Sequence, residues 1–545
     1  MMKLKKALCL LAAWAMLMGS LTGCSLDLRE ETTEATETEK KKEPATTAPH
    51  ETETIAEDGT ETVTETEIET ETEATTEAGT EPAKPEEETV PTESEETIVK
   101  DQLPDGLTFN GVELTLIGNN TNGLDPDAIF MSGTKGGVVQ EAIFERNQAV
   151  EQRLDVSINY ITTNSTGISA AVMTSVQSGY AEYDIMVDES SSAYVATLSP
   201  YFHDLNQLEL LDLTRSYWSQ SYNQAVSYQG KQFTATGSML LSLYRGASVT
   251  VFNKALFHQA NQAYLYDYVE DGSWTLEQQA SLQTLFYQDN ACYGFASNSE
   301  EDINAYWSAL SLDIFTQDEE GKPAYAVNKD RITDAVKSLL ELYHNPTAPA
   351  YIDQPDSQSV TPGTVRMFAA NRAAMVTTSM LWLENDNVQS MDAPYGVVPM
   401  PMLDCDQSEY RTPVDILRLT VVAVPASVTE ERRFMVGAVL EAMGSAGHNV
   451  VRSVYLREMI PTDTPEAQRS ARIIADSIHV DLGAIYLHLP SHTLSRILQN
   501  AVEQGVNNIA GGLKSAEKVT LKQLQKLQEK LDELFTETDT EAETT

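Results

Sequence analysis

Two periods alternate along the chain from residue 111 onward, and this alternation limits the fold more than any other feature. In "GVELTLIG" (111–118) Val112, Leu114 and Leu116 recur at every second position, the mark of a strand with one buried face. Val139, Ile143, Val150 and Leu154 then recur at helical spacing. "VSINYIT" (156–162) alternates again, and "YDIMV" (183–187) is a short, nearly all-apolar strand. Strands separated by helices imply βαβ units and a mainly parallel sheet, so the fold class is α/β. Residues 106–536 are too many for one ordinary core, so two or more lobes are expected.

Later helices carry start signals. Thr275 and Gln278 are spaced as a capping box, and Thr464 precedes Pro465 at a first helical turn. A final helix over 515–535 carries Leu521, Leu524, Leu527, Leu531 and Leu534 along one broad side, which suits docking on the protein's own surface.

The first hundred residues obey different rules. Lys3, Lys5 and Lys6 precede an apolar run over 7–18 and then small residues, the order of a secretory signal. The run is too short to cross a bilayer as a helix. Between residues 25 and 105 there are 27 Asp and Glu against 6 Lys and Arg, interleaved with Thr. Such a segment cannot bury enough apolar surface to offset its ordering entropy, and its charges repel along its length. Residues 24–105 therefore read as an extended, disordered tether, and 537–545 as a disordered acidic tail.

Charge and motif content exclude several functions. The formal net charge is −46, and the part between tether and tail is negative too. Phosphate binding needs clustered Lys and Arg, so nucleic acid is excluded as a partner. His203, His258, His344, His448, His479, His488 and His492 never take HExxH spacing, and no acidic residue lies between His488 and His492. No GxGxxG or GxxxxGK[ST] occurs. Ser515-Ala516-Glu517-Lys518 fits SxxK, but SDN and KTG are absent and the serine suits a helix cap. The expectation is a protein that is no enzyme, with no catalytic residues, no metal site and no cofactor. Of four cysteines, Cys292 and Cys405 lie in the folded part and are expected to be free thiols.

Leu21-Thr22-Gly23-Cys24 resembles a bacterial lipobox. That resemblance implies a lipoprotein signal peptide over 1–23, lipidation of Cys24, and a location on the outer, extracellular face of the cell membrane. Further landmarks follow in order. They are "YDI" (183–185) with Asp188, Glu189 and Ser190; "YFHDL" (201–205); "SYWSQSYNQAVSYQGKQFTATGS" (216–238); "VTVFNKALF" (249–257); "GSWTLEQ" (272–278); "MFAANRAAMVTTSMLWL" (367–383); and "PYGVVPMP" (394–401). Together they resemble the extracellular solute-binding lipoproteins of ABC importers, in the sugar-binding, maltose-binding-protein-like branch. Two features depart from the family pattern: no proline follows Lys231 in "GKQFTATGS", and a glycine-rich stretch over 120–139 stands between the first strand and its helix.

The resemblance implies a periplasmic-binding-protein-like type II fold, two α/β lobes joined by a hinge with a cleft between them. Lobe one would be 106–247 plus 375–418, and lobe two 248–374 plus 419–536, with crossings near 246–250, 372–376 and 417–421. Cys292 and Cys405 would then sit on different lobes. The implied function is delivery of a small solute, a mono- or oligosaccharide, to the permease subunits of an ABC importer by hinge closure, with the protein acting as a monomer. Trp382, Tyr306 and Trp307 would stack on the ligand, while Tyr244, Arg245, Asp188 and Glu189 would bond it. A peptide or cationic amine is an alternative ligand. A surface sensor or adhesion lipoprotein without transport is an alternative of another class.

Overall fold

The computed structural model describes residues 98–119, 137–163, 167–289, 291–298, 301–353, 361–481, 483, 485 and 494–542. The signal segment, Cys24, the tether up to residue 97, most of the 120–139 stretch, and His488 and His492 lie outside the described residues. Pro91–Thr545 forms one compact unit, and everything below belongs to it.

In chain order the strands are β1 (Val112–Asn119), β2 (Val156–Thr163), β3 (Ile185–Glu189), β4 (Ser248–Asn253), β5 (Tyr293–Asn298), β6 (Phe315–Gln317), β7 (Pro323–Tyr325), β8 (Tyr351–Asp353), β9 (Ala373–Ser379), β10 (Tyr395–Pro399), β11 (Thr412–Pro413), β12 (Thr420–Ala423) and β13 (Ile478–His479). They make a four-stranded sheet in the order β12-β3-β1-β2 and a five-stranded sheet in the order β10-β4-β9-β5-β8, with β6-β7 and β11-β13 as small pairs. β1, β2 and β3 are parallel, as the alternation requires. β5, β8 and β9 are parallel in the second sheet.

The elements form for readable reasons. Leu114 and Leu116 are buried as the period predicts, and β3 is buried along its first four residues, as a strand covered on both faces must be. Ile143, Val150 and Leu154 bury one side of the helix Val138–Leu154. Thr275 accepts from the amide of Gln278 at the start of the helix Leu276–Phe286, and Thr464 accepts from Ala467 with Pro465 in the first turn of the helix Pro465–Asp476.

Several expectations are corrected. β9 and β10, expected in lobe one, pair with β4 in the five-stranded sheet, while β12, expected in lobe two, pairs with β3 in the four-stranded one. Residues 372–376 therefore lie inside the second sheet and are no crossing. The chain passes between the sheets at the residues preceding β4 and at 414–419, the latter overlapping the crossing expected at 417–421. After β12 the helix Glu430–Ala446 packs on the helix Val138–Leu154, whereas the helix Pro465–Asp476 packs on β10, so a third passage falls between them.

The expected tether also ends early. Leu103 is buried, the amide of Val99 donates to Asn449, and Arg153 pairs with Asp101 at 2.6 Å, so 98–105 belong to the fold. At the other end the helix runs Ala510–Ala542, into the expected tail. Ser515 thus lies inside that helix and is no cap. Leu524, Leu527, Leu531 and Leu534 are buried, but Leu521 is 44% exposed, because the buried stripe continues upstream through Thr520, Ala516 and Leu513. Cys292 is buried and Cys405 exposed, both free. Cys405 lies beside the helix Leu276–Phe286, on the same body as Cys292. No helix among the described residues is long and apolar enough to cross a membrane.

Candidate functional site

Pairing directions locate the site. β12 runs antiparallel to β3 with Thr420 opposite Glu189, and β4 antiparallel to β9 with Ser248 opposite Ser379. Both passages therefore connect the C-terminal ends of β3 and β9, the edge at which α/β sheets place ligands. The amide of Asp415 donates to Gly246 O at 2.9 Å, that of Met380 to Ala247 O at 2.8 Å, and the hydroxyl of Ser242 meets that of Thr420 at 2.8 Å. Two crossing segments and the ends of two sheets are thus tied at one junction.

The third passage joins them. Gly447–Arg452 is a turn of π-helix between the helices Glu430–Ala446 and Ser453–Met459, the kind of wide turn that often marks a functional region. A β-carbon on Gly447 would stand 2.3 Å from Ser238 O, so only glycine permits this approach. It brings His448 Nδ1 to 3.3 Å from the hydroxyl of Ser238, which is also 2.7 Å from the Tyr244 hydroxyl. Tyr244 is fully enclosed, and burial pushes its phenol pKa up.

Five of the seven residues proposed from sequence converge here. Arg245 donates from Nε and Nη2 to both oxygens of Glu384, each at 2.6 Å, a bidentate pair with Tyr455 packed beside it. Trp382 sits in the short helix Met380–Glu384 that follows β9, with the guanidinium of Arg418 5.7 Å from its ring centre. Arg418 is held by Asp415 at 3.1 Å. The indole N–H of Trp382 is buried without an acceptor among the described residues.

Asp188 and Glu189 close the other side, in a different manner. Asp188 is 2% exposed and accepts from the Ser169 hydroxyl at 2.5 Å, the Ser169 amide at 3.2 Å and the Glu189 amide at 2.9 Å. It clamps the first turn of the helix Ile168–Ser178, and burial raises its carboxyl pKa against those donors. Glu189 accepts from Ser191 and Ser192; burial raises its pKa, and the neighbouring charges of Asp188 and Asp415 add to this.

Tyr306 and Trp307 are placed otherwise. Tyr306, on the helix Glu301–Ala309, is completely buried with its ring 6.4 Å from that of Tyr343. Trp307 is 5% exposed and belongs to the same apolar core. Sequence reasoning missed Glu384, Asp415, Arg418, His448 and Tyr455. For Arg418, and for Asp415 two residues before it, a signal existed, since "VDILRL" (414–419) runs into the crossing expected near 417–421.

A cavity of about 970 Å³ lies elsewhere, between the helices Leu276–Phe286 and Lys329–Tyr343, and holds none of the seven residues. Among the described residues no group of three or more His, Cys, Asp and Glu could hold a metal ion.

No family model matches the chain, and no curated protein matches its sequence. Solved structures do match. A cyclic α-maltosyl-1,6-maltose binding protein from Arthrobacter globiformis is 12% identical, with a TM-score of 0.53, over 76% of this chain and 100% of that one. A cyclo/maltodextrin-binding protein complexed with maltotetraose is 12% identical, with a TM-score of 0.50, over 76% of this chain and 97% of that one. The chain thus has the α/β fold of the type II, maltose-binding-protein-like solute-binding proteins.

Proposed function

We propose that this chain is a solute-binding protein of an ABC importer, taking a mono- or oligosaccharide at the junction and closing about the three passages. The observation that carries this reading is Trp382: a buried indole whose N–H has no acceptor among the described residues, under Arg418 and two residues before Glu384, which grips Arg245. A buried donor left unpaired costs about 1–3 kcal/mol, and a ligand hydroxyl would supply the missing acceptor. Sugars pair apolar C–H faces with rims of hydroxyls, which matches an aromatic ring flanked by charged hydrogen-bonding groups. The likeness in fold to proteins that bind maltose-derived sugars agrees with it.

Closure is a hinge motion in which a few passage residues absorb the backbone change, and only contacts made better in the closed form can drive it. The lipobox at Cys24 and the acidic tether would hold the body outside the cell membrane, where permease subunits would read the closed form.

The test is a thermal-shift screen of Pro91–Thr545, the compact unit. Maltotetraose, cyclic maltosyl sugars, monosaccharides and polyols would be run beside peptides, amino acids and polyamines. A ligand at 100 times its Kd should stabilise the protein by about 2.7 kcal/mol. A sugar or polyol hit supports the reading; a peptide or amine hit alone overturns the sugar assignment.

A further inference from the structure

Residues 98–103 join the folded body to the N-terminal extension, and they attach at one of the three passages. Val99 is bound to the last turn of the helix Glu430–Ala446 and to the π-helical turn after it. Its amide donates to Asn449 Oδ1 at 2.9 Å, and its carbonyl accepts from Asn449 Nδ2 and from the Ser445 hydroxyl, each at 2.7 Å. The Asn449 side chain thus makes with Val99 both bonds that a neighbouring strand would make. Further along, Arg215 donates to Lys100 O at 3.2 Å, Asp101 pairs with Arg153, and Leu103 enters the core. A cavity of about 510 Å³ opens between this segment and the helices beside it, lined by Val99, Leu103, Val150, Arg153, Ala446 and Asn449. Hydrogen bonds rather than close packing therefore hold its outer end, where Ile98 is 71% exposed.

The turn that contains Asn449 is held from its other sides as well. Gly447 stands against Ser238 O and His448 beside the Ser238 hydroxyl, while Arg452 lies 3.7 Å from Asp476 at the end of the helix Pro465–Asp476. That helix packs on β10 of the second sheet. Both bodies and the N-terminal extension thus meet in a turn of six residues. A hinge works by backbone change in a few residues, and a side chain bonded twice to a separate segment opposes that change.

We infer that residues 98–103 are a strap docked on the third passage, holding the turn Gly447–Arg452 still, so that the state of the N-terminal extension biases the hinge. Docked, the strap resists movement of one body against the other; released at Val99, it frees the turn. Its bearing on closure rests on the passages being the hinge proposed for solute binding, and the two ideas fail separately below.

Residues 25–545 keep the extension and lack Cys24. This chain would carry one spin label on the exposed Cys405, in the second body, and another on Tyr180→Cys, 72% exposed and just before β3 in the first. Asn449→Ala should make the amides of Gly447–Arg452 exchange with deuterium about tenfold faster, on the scale of losing that pair of hydrogen bonds. It should also broaden the distance distribution between the labels. A chain beginning at Asp101, without Val99, should do the same, and Asn449→Ala within it should add nothing further. A turn whose exchange neither change alters overturns the inference, and so does a faster turn with an unaltered distance distribution. Maltotetraose added to the parent reads closure separately. A distance shift in the parent, beside variants that start and finish where it does, removes the strap and keeps the solute reading. Broadening in the variants with no shift on adding maltotetraose keeps the strap and counts against that sugar alone.

Discussion

The two sheets reach the junction with opposite kinds of edge. At the end of β3 the carboxylates of Asp188 and Glu189 have their acceptors filled by Ser169, Ser191, Ser192 and a backbone amide. At the end of β9 the Trp382 N–H has no acceptor among the described residues, and Glu384 reaches out to grip Arg245. One edge is closed upon itself; the other offers hydrogen bonding that its own fold does not use. A charged residue at the right strand end is thus poor evidence of ligand contact until its partners are counted.

The largest effect should come from the aromatic pair that sits behind the second edge rather than on it. Tyr306→Ala removes a fully buried ring packed on Tyr343 and should cost about 3–5 kcal/mol in urea unfolding. Solute affinity of the folded fraction should stay within a factor of two or so, on the order of the error of such a fit. A specific loss of affinity would return Tyr306 to the site. Asp188→Ala comes next, at about 2–4 kcal/mol, because it strands the buried amides of Ser169 and Glu189.

The pH dependence of Asp188 sharpens the contrast. Burial raises its folded pKa above the unfolded value, so the native state holds that proton more tightly. Its contribution to stability is present in acid and falls as pH climbs from about 4 through the folded value. Asp188→Asn should lose less stability over that range than the parent does. Urea midpoints for the two proteins across the range check it, and a steeper loss in the variant would break the assignment of Asp188 as a clamp.

How much of this was legible depended on whether a residue's role is local. β1, β2 and β3 could be read because parallel strands buried on both faces announce themselves by period and apolarity. Sheet membership could not. "AAMVTTS" in β9 and "TVVA" in β12 look alike in sequence, and only pairing sends one to β4 and the other to β3. The same holds at the site. Tyr306 and Trp382 are both aromatics on helical turns, and nothing within either segment says that Tyr343 covers the first while Arg418 lies over the second. Gly447 is plain in the sequence, but its meaning rests on Ser238, more than two hundred residues away.

Two smaller changes act on the open edge itself. Glu384→Gln keeps the shape but removes the negative charge and one of the two acceptors that Arg245, 8% exposed, donates to; it should cost about 1–2 kcal/mol, less than a deeply buried pair because Glu384 keeps some solvent. Denaturation in urea measures it, and a neutral result would mean that Tyr455 and the other neighbours of Arg245 hold it without the carboxylate.

Trp382→Phe is the narrowest test. Trp382→Ala would confuse two effects, since the side chain is 91% buried by its 9% exposure and its removal would leave a cavity in the core. Phenylalanine keeps an aromatic ring under Arg418 and removes only the N–H and part of the indole. With no acceptor for that N–H among the described residues, folding stability should change by less than about 1 kcal/mol. If the bound solute supplies the acceptor, affinity should fall about tenfold, or roughly 1.4 kcal/mol, with the loss confined to ligands that carry an oxygen at that position. Calorimetry on both proteins separates the outcomes. Unchanged affinity with unchanged stability would mean that the indole N–H meets neither protein nor solute, and the open edge would then be defined by Arg245, Glu384 and Arg418 alone.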